Sequence, residues 1–288
     1  MKAGQTSRTA EVVAAMRALD RAINDPPILG DPYAARMIRP AFRALVLNRL
    51  IRTIYVRYVS DVRRMMITTS ARSRIAEELL TEKKRQGPVQ WVLLGAGLDT
   101  FAWRHPEHAD VPQFELDHPA TQSHKRQLLS RLSLVSPSKH HFVSVELERM
   151  RIPDTLVAAG FDPKTPAVFA WLGVTYYLTR AAIEQTLRDV STIAAPGSAL
   201  VCDYRLPDHH LDPREVALMR KGDRIFEKWG EPQISKLEVD EWKTLAQETG
   251  WTVQADLGRA EIAERFARQC RDGVRPSSNY RILTLGRA

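Results

Sequence analysis

Val89-Gln90-Trp91-Val92-Leu93-Leu94-Gly95-Ala96-Gly97-Leu98-Asp99-Thr100-Phe101-Ala102-Trp103-Arg104 is the stretch that decides the fold. A short apolar run, Trp91 to Leu94, is cut off by two glycines and followed by residues able to start a helix. That order predicts a buried strand, a tight turn and a helix, the first βα unit of a nucleotide-binding α/β sheet, in which glycines let the backbone approach a ligand.

The loop is not G-x-G-x-x-G. Thr100 stands where the third glycine would be, and Asp99 lies inside the turn. A dinucleotide would set its pyrophosphate on the helix N-terminus, where an aspartate repels it. S-adenosylmethionine carries an ammonium, a sulfonium and a carboxylate but no phosphate, so an acidic residue there is tolerable and useful. The plainer role for Asp99 is a helix cap.

Gly95-Ala96-Gly97-Leu98-Asp99-Thr100, with Trp103-Arg104 shortly after, resembles the first motif of the leucine carboxyl methyltransferase family of class I S-adenosylmethionine-dependent O-methyltransferases. The resemblance implies a Rossmann-like α/β sheet of seven strands with the last antiparallel, a helical N-terminal cap and a lid inserted after strand 5. It implies one methyltransferase domain over 1–288, divided into a cap (1–86), a cofactor-binding core (87–205), the lid (206–240) and a C-terminal part of the sheet (241–288).

Upstream of the loop, Thr9 to Ile23 places apolar residues at helical intervals. Ser7-Arg8-Thr9-Ala10, Arg17-Ala18 and Asp31-Pro32-Tyr33-Ala34 are similar to the family's N-terminal region. Arg36 to Tyr58 reads as one or two amphipathic helices and Ile67 to Thr81 as another. The last contains Ala71-Arg72-Ser73-Arg74, which looks like the family's Arg-Thr-Arg segment. The resemblance gives Arg72 the cofactor's methionine carboxylate, a task suited to a planar guanidinium fork.

Downstream, Val111 to Leu116 is the second strand, ending at Asp117 about 20 residues beyond the glycines, the place from which a carboxylate accepts ribose hydroxyls. Asp117 is therefore the expected ribose ligand, with Glu115 as the alternative. Strands are also expected at His141 to Val145, Ala167 to Trp171, Ser198 to Asp203, Trp251 to Asp256 and Tyr280 to Leu285, with one antiparallel edge strand. Glu146-Leu147 stands where the family has Asp-Leu beside the adenine. With the backbone of Gly95, Ala96 and Gly97 and the Asp99 carboxylate, these complete the expected cofactor set. Leu172 replaces a family glutamate, so that carboxylate's role must fall to a backbone carbonyl or to Asp99.

The acceptor side is expected after strands 4 and 5. Tyr177 and Arg205 follow strands at the carboxyl edge, and His209 and His210 lie in the insertion as candidate general bases, since histidine titrates near neutral pH. Gly230-Glu231-Pro232 is similar to a family segment that covers the acceptor. No histidine or cysteine pair repeats at zinc-ligand spacing, which predicts a metal-independent transferase.

The chain's 288 residues and 44% hydrophobic content suffice for a large core. Two cysteines exclude a disulfide framework, and the lack of a signal pattern or of a run near membrane-spanning length points to the cytoplasm, with no membrane partner. Of the +8 net charge, the segment Arg36 to Arg85 holds 13 Lys/Arg against Asp61, Glu77, Glu78 and Glu82. Such a patch suits nucleic acid, an anionic surface or a solvated helix face. Trp171-Leu172-Gly173-Val174 lacks the Asn/Asp-Pro-Pro-aromatic pattern of enzymes that grip a flipped base, which argues against nucleic acid. The reading is thus methylation of a carboxyl or hydroxyl group on a small-molecule acceptor, with a nucleic-acid methyltransferase or a non-catalytic cofactor-binding protein as alternatives. The sequence carries no signal of oligomeric state.

Overall fold

The computed structural model describes residues 7–58, 60–145, 151–270 and 274–288. Five helices precede the sheet: α1 (Arg8–Ile23), α2 (Ala34–Met37), α3 (Pro40–Leu47), α4 (Arg49–Tyr58) and α5 (Ser60–Gln86). Ser7 caps α1 by accepting from the Ala10 N–H, and Asn48 separates α3 from α4 by accepting from the N–H groups of Leu50 and Ile51.

The sheet then alternates with helices: β1 (Gln90–Leu94), α6 (Phe101–Arg104), β2 (Gln113–Asp117), α7 (Pro119–Arg131), β3 (His140–Ser144), α8 (Ile152–Ala158), β4 (Ala167–Trp171), α9 (Arg180–Ile193) and β5 (Ala199–Arg205). After it come α10 (Pro213–Lys228), α11 (Val239–Glu248), β6 (Thr252–Leu257), α12 (Arg259–Arg265) and β7 (Tyr280–Gly286).

The seven strands lie in the order β3-β2-β1-β4-β5-β7-β6, parallel except for β7, which is antiparallel to both β5 and β6. The antiparallel strand is therefore interior, not at the edge as expected. Ile282, Leu283 and Leu285 of β7 are at most 1% exposed, whereas β6 has exposed and half-buried positions only. An apolar strand takes the doubly covered place and the more polar one takes the rim.

Side chains alternate across the sheet, as strand geometry requires. Trp91 and Leu93 of β1 face α1 and α5 with Val168, Ala170, Val201 and Ile282. Val92 and Leu94 face the other way, with Phe169, Trp171, Leu200 and Cys202 against α8, α9 and α11. Strand order reverses between β1 and β4, so the loops after these two strands diverge and leave a crevice, the position at which open α/β sheets bind ligands. The 206–240 insertion contains a 16-residue helix, α10, which Pro213 starts and Asp212 caps by accepting from the N–H groups of Arg214 and Glu215.

Candidate active site

The glycine turn is fastened to the strand beside it. The N–H groups of Gly95 and Ala96 donate to the Leu116 carbonyl at 2.8 and 3.0 Å, and Gly97 N–H donates to Oδ2 of Asp117. Gly97 has φ +53°, and a Cβ there would lie 3.2 Å from Ala10 Cβ of α1. Only glycine accommodates both the left-handed backbone and the helix laid over it. Asp117 ends β2 with its other oxygen accepting from His118 N–H at 2.6 Å. Burial pushes its carboxyl up to about 6, although both N–H donors and Lys125 oppose the shift.

Glu115, two residues earlier, faces the interior instead. It is 2% exposed, ion-paired to Lys125 and 3.0 Å from His140 Nε2. The period of the strand puts 115 and 117 on one face, but Glu115 is paired with Lys125 inside the sheet while Asp117 stands at the strand end beside the glycine turn.

Asp99 turns toward the cap. Its Oδ2 accepts from Arg17 Nη1 at 2.6 Å and its Oδ1 from Phe101 N–H at 2.6 Å. Burial opposes ionisation here, but Arg17 and Arg104 hold the carboxyl below its usual range. Arg17 also donates to the Leu98 carbonyl and lies 3.6 Å from Asp31, which accepts from Thr100 Oγ1 at 2.7 Å and from the N–H groups of Tyr33 and Ala34 at the start of α2. Arg104 reaches Glu77 of α5 at 2.6 Å. Arg17, Asp31, Asp99 and Arg104, scattered in the sequence, thus form one buried ionic cluster joining the N-terminal cap to the glycine turn. Asp99 precedes the α6 N-cap, Thr100, and its carboxylate is taken up by the Phe101 N–H and by Arg17 of the cap.

Arg72, on α5 and 4% exposed, reaches the end of β5, where Nη1 donates to Asp203 Oδ2 at 2.5 Å and to Tyr176 Oη at 3.1 Å. Burial works against the charge, but Asp203 and Tyr176 push the guanidinium further up and keep it cationic. Its Nη2 lies against Gly173, φ +78°, where a Cβ would stand 2.6 Å from it. Gly173 N–H donates to Asp203 Oδ1 at 2.6 Å. Asp203 thus places a carboxylate beside Gly173 from the neighbouring strand, whereas Asp99 turns to the cap. Asp203 does not stand out in the sequence, because only the β4–β5 register, which pairs Trp171 with Cys202, carries it to the Leu172–Gly173 turn.

On the acceptor side Arg205 is 1% exposed and already occupied. It donates to Asp223 of α10 at 2.7 Å and to Gln233, and it lies 5.8 Å from the Tyr280 ring centre. It holds the lid to β5, so an acceptor carboxylate would have to displace Asp223. Tyr177 accepts from Gln233 Nε2 at 3.4 Å and packs on Tyr176, which packs on Tyr280. Burial pushes all three phenols up, so they stay protonated. Glu231 accepts from the N–H groups of Arg8 and Thr9 at 3.0 and 3.1 Å, so the lid grips the first turn of α1. His209 and His210 are outside this cluster. They are 68% and 39% exposed at the side chain and both turn to Glu238. A general base must reach the acceptor, and these point to the surface. Glu146 and Leu147 lie outside the described residues.

A mostly parallel seven-stranded sheet with a glycine turn after β1, an aspartate ending β2 and a buried arginine at the end of β5 is the arrangement of class I S-adenosylmethionine-dependent methyltransferases. The sequence model of leucine carboxyl methyltransferase matches residues 10–191. The chain is 32% identical over 216 residues to YktD of Bacillus subtilis (strain 168), covering 72% of this chain and 68% of that one. It is 29% identical over 290 residues to a chain of Mycobacteroides abscessus, covering 95% and 91%. Both relatives carry names that assign them to S-adenosyl-L-methionine-dependent methyltransferases. A crystal structure of a DUF574 family protein from Streptomyces avermitilis shares the fold, with TM-score 0.62, 12% identity and 98% of each chain covered. The chain belongs to the leucine carboxyl methyltransferase family, and it is an enzyme whose cofactor is S-adenosylmethionine.

The residues present fit that cofactor. Asp117 ends β2 with a carboxylate of the kind that accepts from ribose hydroxyls, and Arg72 sets Nη2 beside Gly173 just after β4, where a guanidinium could pair with a ligand carboxylate. When bound, S-adenosylmethionine supplies an electrophilic methyl group on a sulfonium. The chain's part is to align an acceptor with it and to keep water away.

Proposed function

We propose that the enzyme methylates an oxygen of a small organic acceptor, a carboxylate in preference to a hydroxyl. The observation that carries this is the roof over the β4–β5 edge. Glu231 of the lid takes the first N–H groups of α1, so two elements more than 200 residues apart close over the Tyr176–Tyr177–Tyr280 cluster. Such a roof suits a small acceptor. The preference for a carboxylate rests on proton accounting. A carboxylate is already ionised and needs no base, whereas an alcohol or phenol benefits from one. The three phenols are held protonated by burial, and His209 and His210 face solvent.

In this reading Arg72 and Asp117 hold the cofactor, the aromatic cluster packs on the acceptor and excludes water, and Arg205 keeps the lid seated. Transfer of a labelled methyl group to a library of small carboxylic acids and phenols, with an RNA pool alongside, tests it. Products among the acids that release methanol on mild alkaline treatment are expected. Label confined to the RNA, or to phenols alone, would overturn the assignment.

A further inference from the structure

We propose that His209, His210 and Glu238 form a divalent transition-metal site, for an ion of the zinc type, that locks the root of the lid. His209 Nε2 lies 3.0 Å from Glu238 Oε1 and His210 Nε2 lies 2.7 Å from Oε2, with the two imidazole ring centres 4.3 Å apart. All three ligand atoms fall within 4.8 Å of one another. Two imidazoles and a carboxylate are a donor set that suits zinc, whose bonds of about 2.0–2.2 Å call for donors roughly 3–3.5 Å apart. The partial exposure of both rings leaves room for water in the fourth position.

The local charges favour a cation. Lys236 pairs with Asp208 at 2.5 Å, and Arg220, 67% exposed at the side chain and 3.8 Å from the same carboxylate, leaves one solvated positive charge against the Glu238 carboxylate that faces both histidines. The other three-ligand group among the described residues, His105, Glu107 and His108, is less suited. There Arg104 Nη1 lies 3.1 Å from His105 Nε2 and opposes a further positive charge.

The position gives the site a consequence. His209 and His210 follow β5 where the chain enters the lid, and Glu238 stands where it leaves, just after Leu237 N–H donates to the Arg205 carbonyl at 3.0 Å. Ile234 and Ser235 on the same return segment donate to the Tyr176 carbonyl. An ion bridging both ends closes the 28-residue separation with three bonds and holds Gln233, the partner of Arg205 and Tyr177, in place.

Calorimetric titration of the full chain with zinc chloride in a non-chelating buffer tests the proposal. One strong zinc per chain is expected in the parent, weakened at least tenfold in His209→Ala/His210→Ala and in Glu238→Gln, with trypsin cleavage between residues 207 and 238 slowed by zinc in the parent only. Thermal melts of the zinc-free proteins check that the variants fold, and the exposed double histidine variant guards against loss of the α11 start in Glu238→Gln. Equal zinc affinity in the parent and the double variant would mean adventitious binding elsewhere and would overturn the site. Equal slowing of cleavage in all three proteins would overturn the lock.

Discussion

The two halves of the sheet's carboxyl edge are built differently. On the cofactor half, the decisive bond joins Gly97 to Asp117, 20 residues away, and most of the remaining contacts are backbone N–H groups of one turn. On the acceptor half, the bonds span far more chain: Arg72 to Asp203 over 131 residues and Thr9 to Glu231 over 222. A site made by a single βα turn is written in consecutive residues, because φ, N–H direction and strand end determine it. A site made by side chains meeting from the cap, three strands and a lid exists only once the fold has closed.

The largest expected effect breaks the join between the halves. Arg17 is 2% exposed and its removal leaves Asp99 and Asp31 buried without it. Breaking a buried pair by deleting one partner typically costs about 3–5 kcal/mol. Arg17→Ala is expected to lose stability of that order in urea unfolding, or to release α1 to proteolysis while the sheet persists. A loss below about 1 kcal/mol with the cap still protected would show that the cluster does not join cap to turn.

A smaller effect is expected at Arg72, which belongs to both halves. Arg72→Lys keeps a cation beside Asp203 but loses the planar fork, so one nitrogen can no longer serve Asp203 and a ligand carboxylate together. Charged hydrogen bonds of this kind contribute about 1.5–3 kcal/mol, so the affinity for S-adenosylhomocysteine should fall by about one to two decades. Calorimetry on the folded variant measures it. Unchanged affinity would confine Arg72 to a structural pairing with Asp203.

The same contrast explains what the sequence made legible. β1, β2, β4 and β5 were readable as short apolar runs bounded by Gly, Pro or Asp, whereas β3 and β6 are more polar and showed mainly by alternation and by their place in the α/β order. Strand order was readable only through the family resemblance, and the interior place of β7 depends on which of the last two strands is more apolar on both faces. Asp117 was legible from its distance to the glycines. Asp203 was not, since it reads as one polar residue near a strand end, and Arg17 and Asp31 carried no local sign of the ionic cluster they form. The His209-His210 pair invited a catalytic reading by residue type, whereas Glu238, which turns both rings outward, lies 28 residues later.

The smallest effect concerns Asp117 and sharpens the claim that the cofactor half is governed by one strand end. Its carboxyl is pushed up to about 6 by burial, so the folded state binds this proton more tightly than the unfolded chain does. For a carboxyl shifted upward, the protonated form is the favoured one in the free protein, and folding stability declines as pH rises between the usual carboxylate range and about 6. Ribose hydroxyls donate hydrogen bonds and need the ionised form. Affinity for S-adenosylhomocysteine is therefore expected to be level above pH 7 and to weaken as pH falls through about 6, approaching tenfold per pH unit below it. Asp117→Asn should bind more weakly at pH 8 and lose this slope, while Arg72→Lys should keep it. A slope that survives in Asp117→Asn would assign the titration to another group and remove the main support for Asp117 as the ribose ligand.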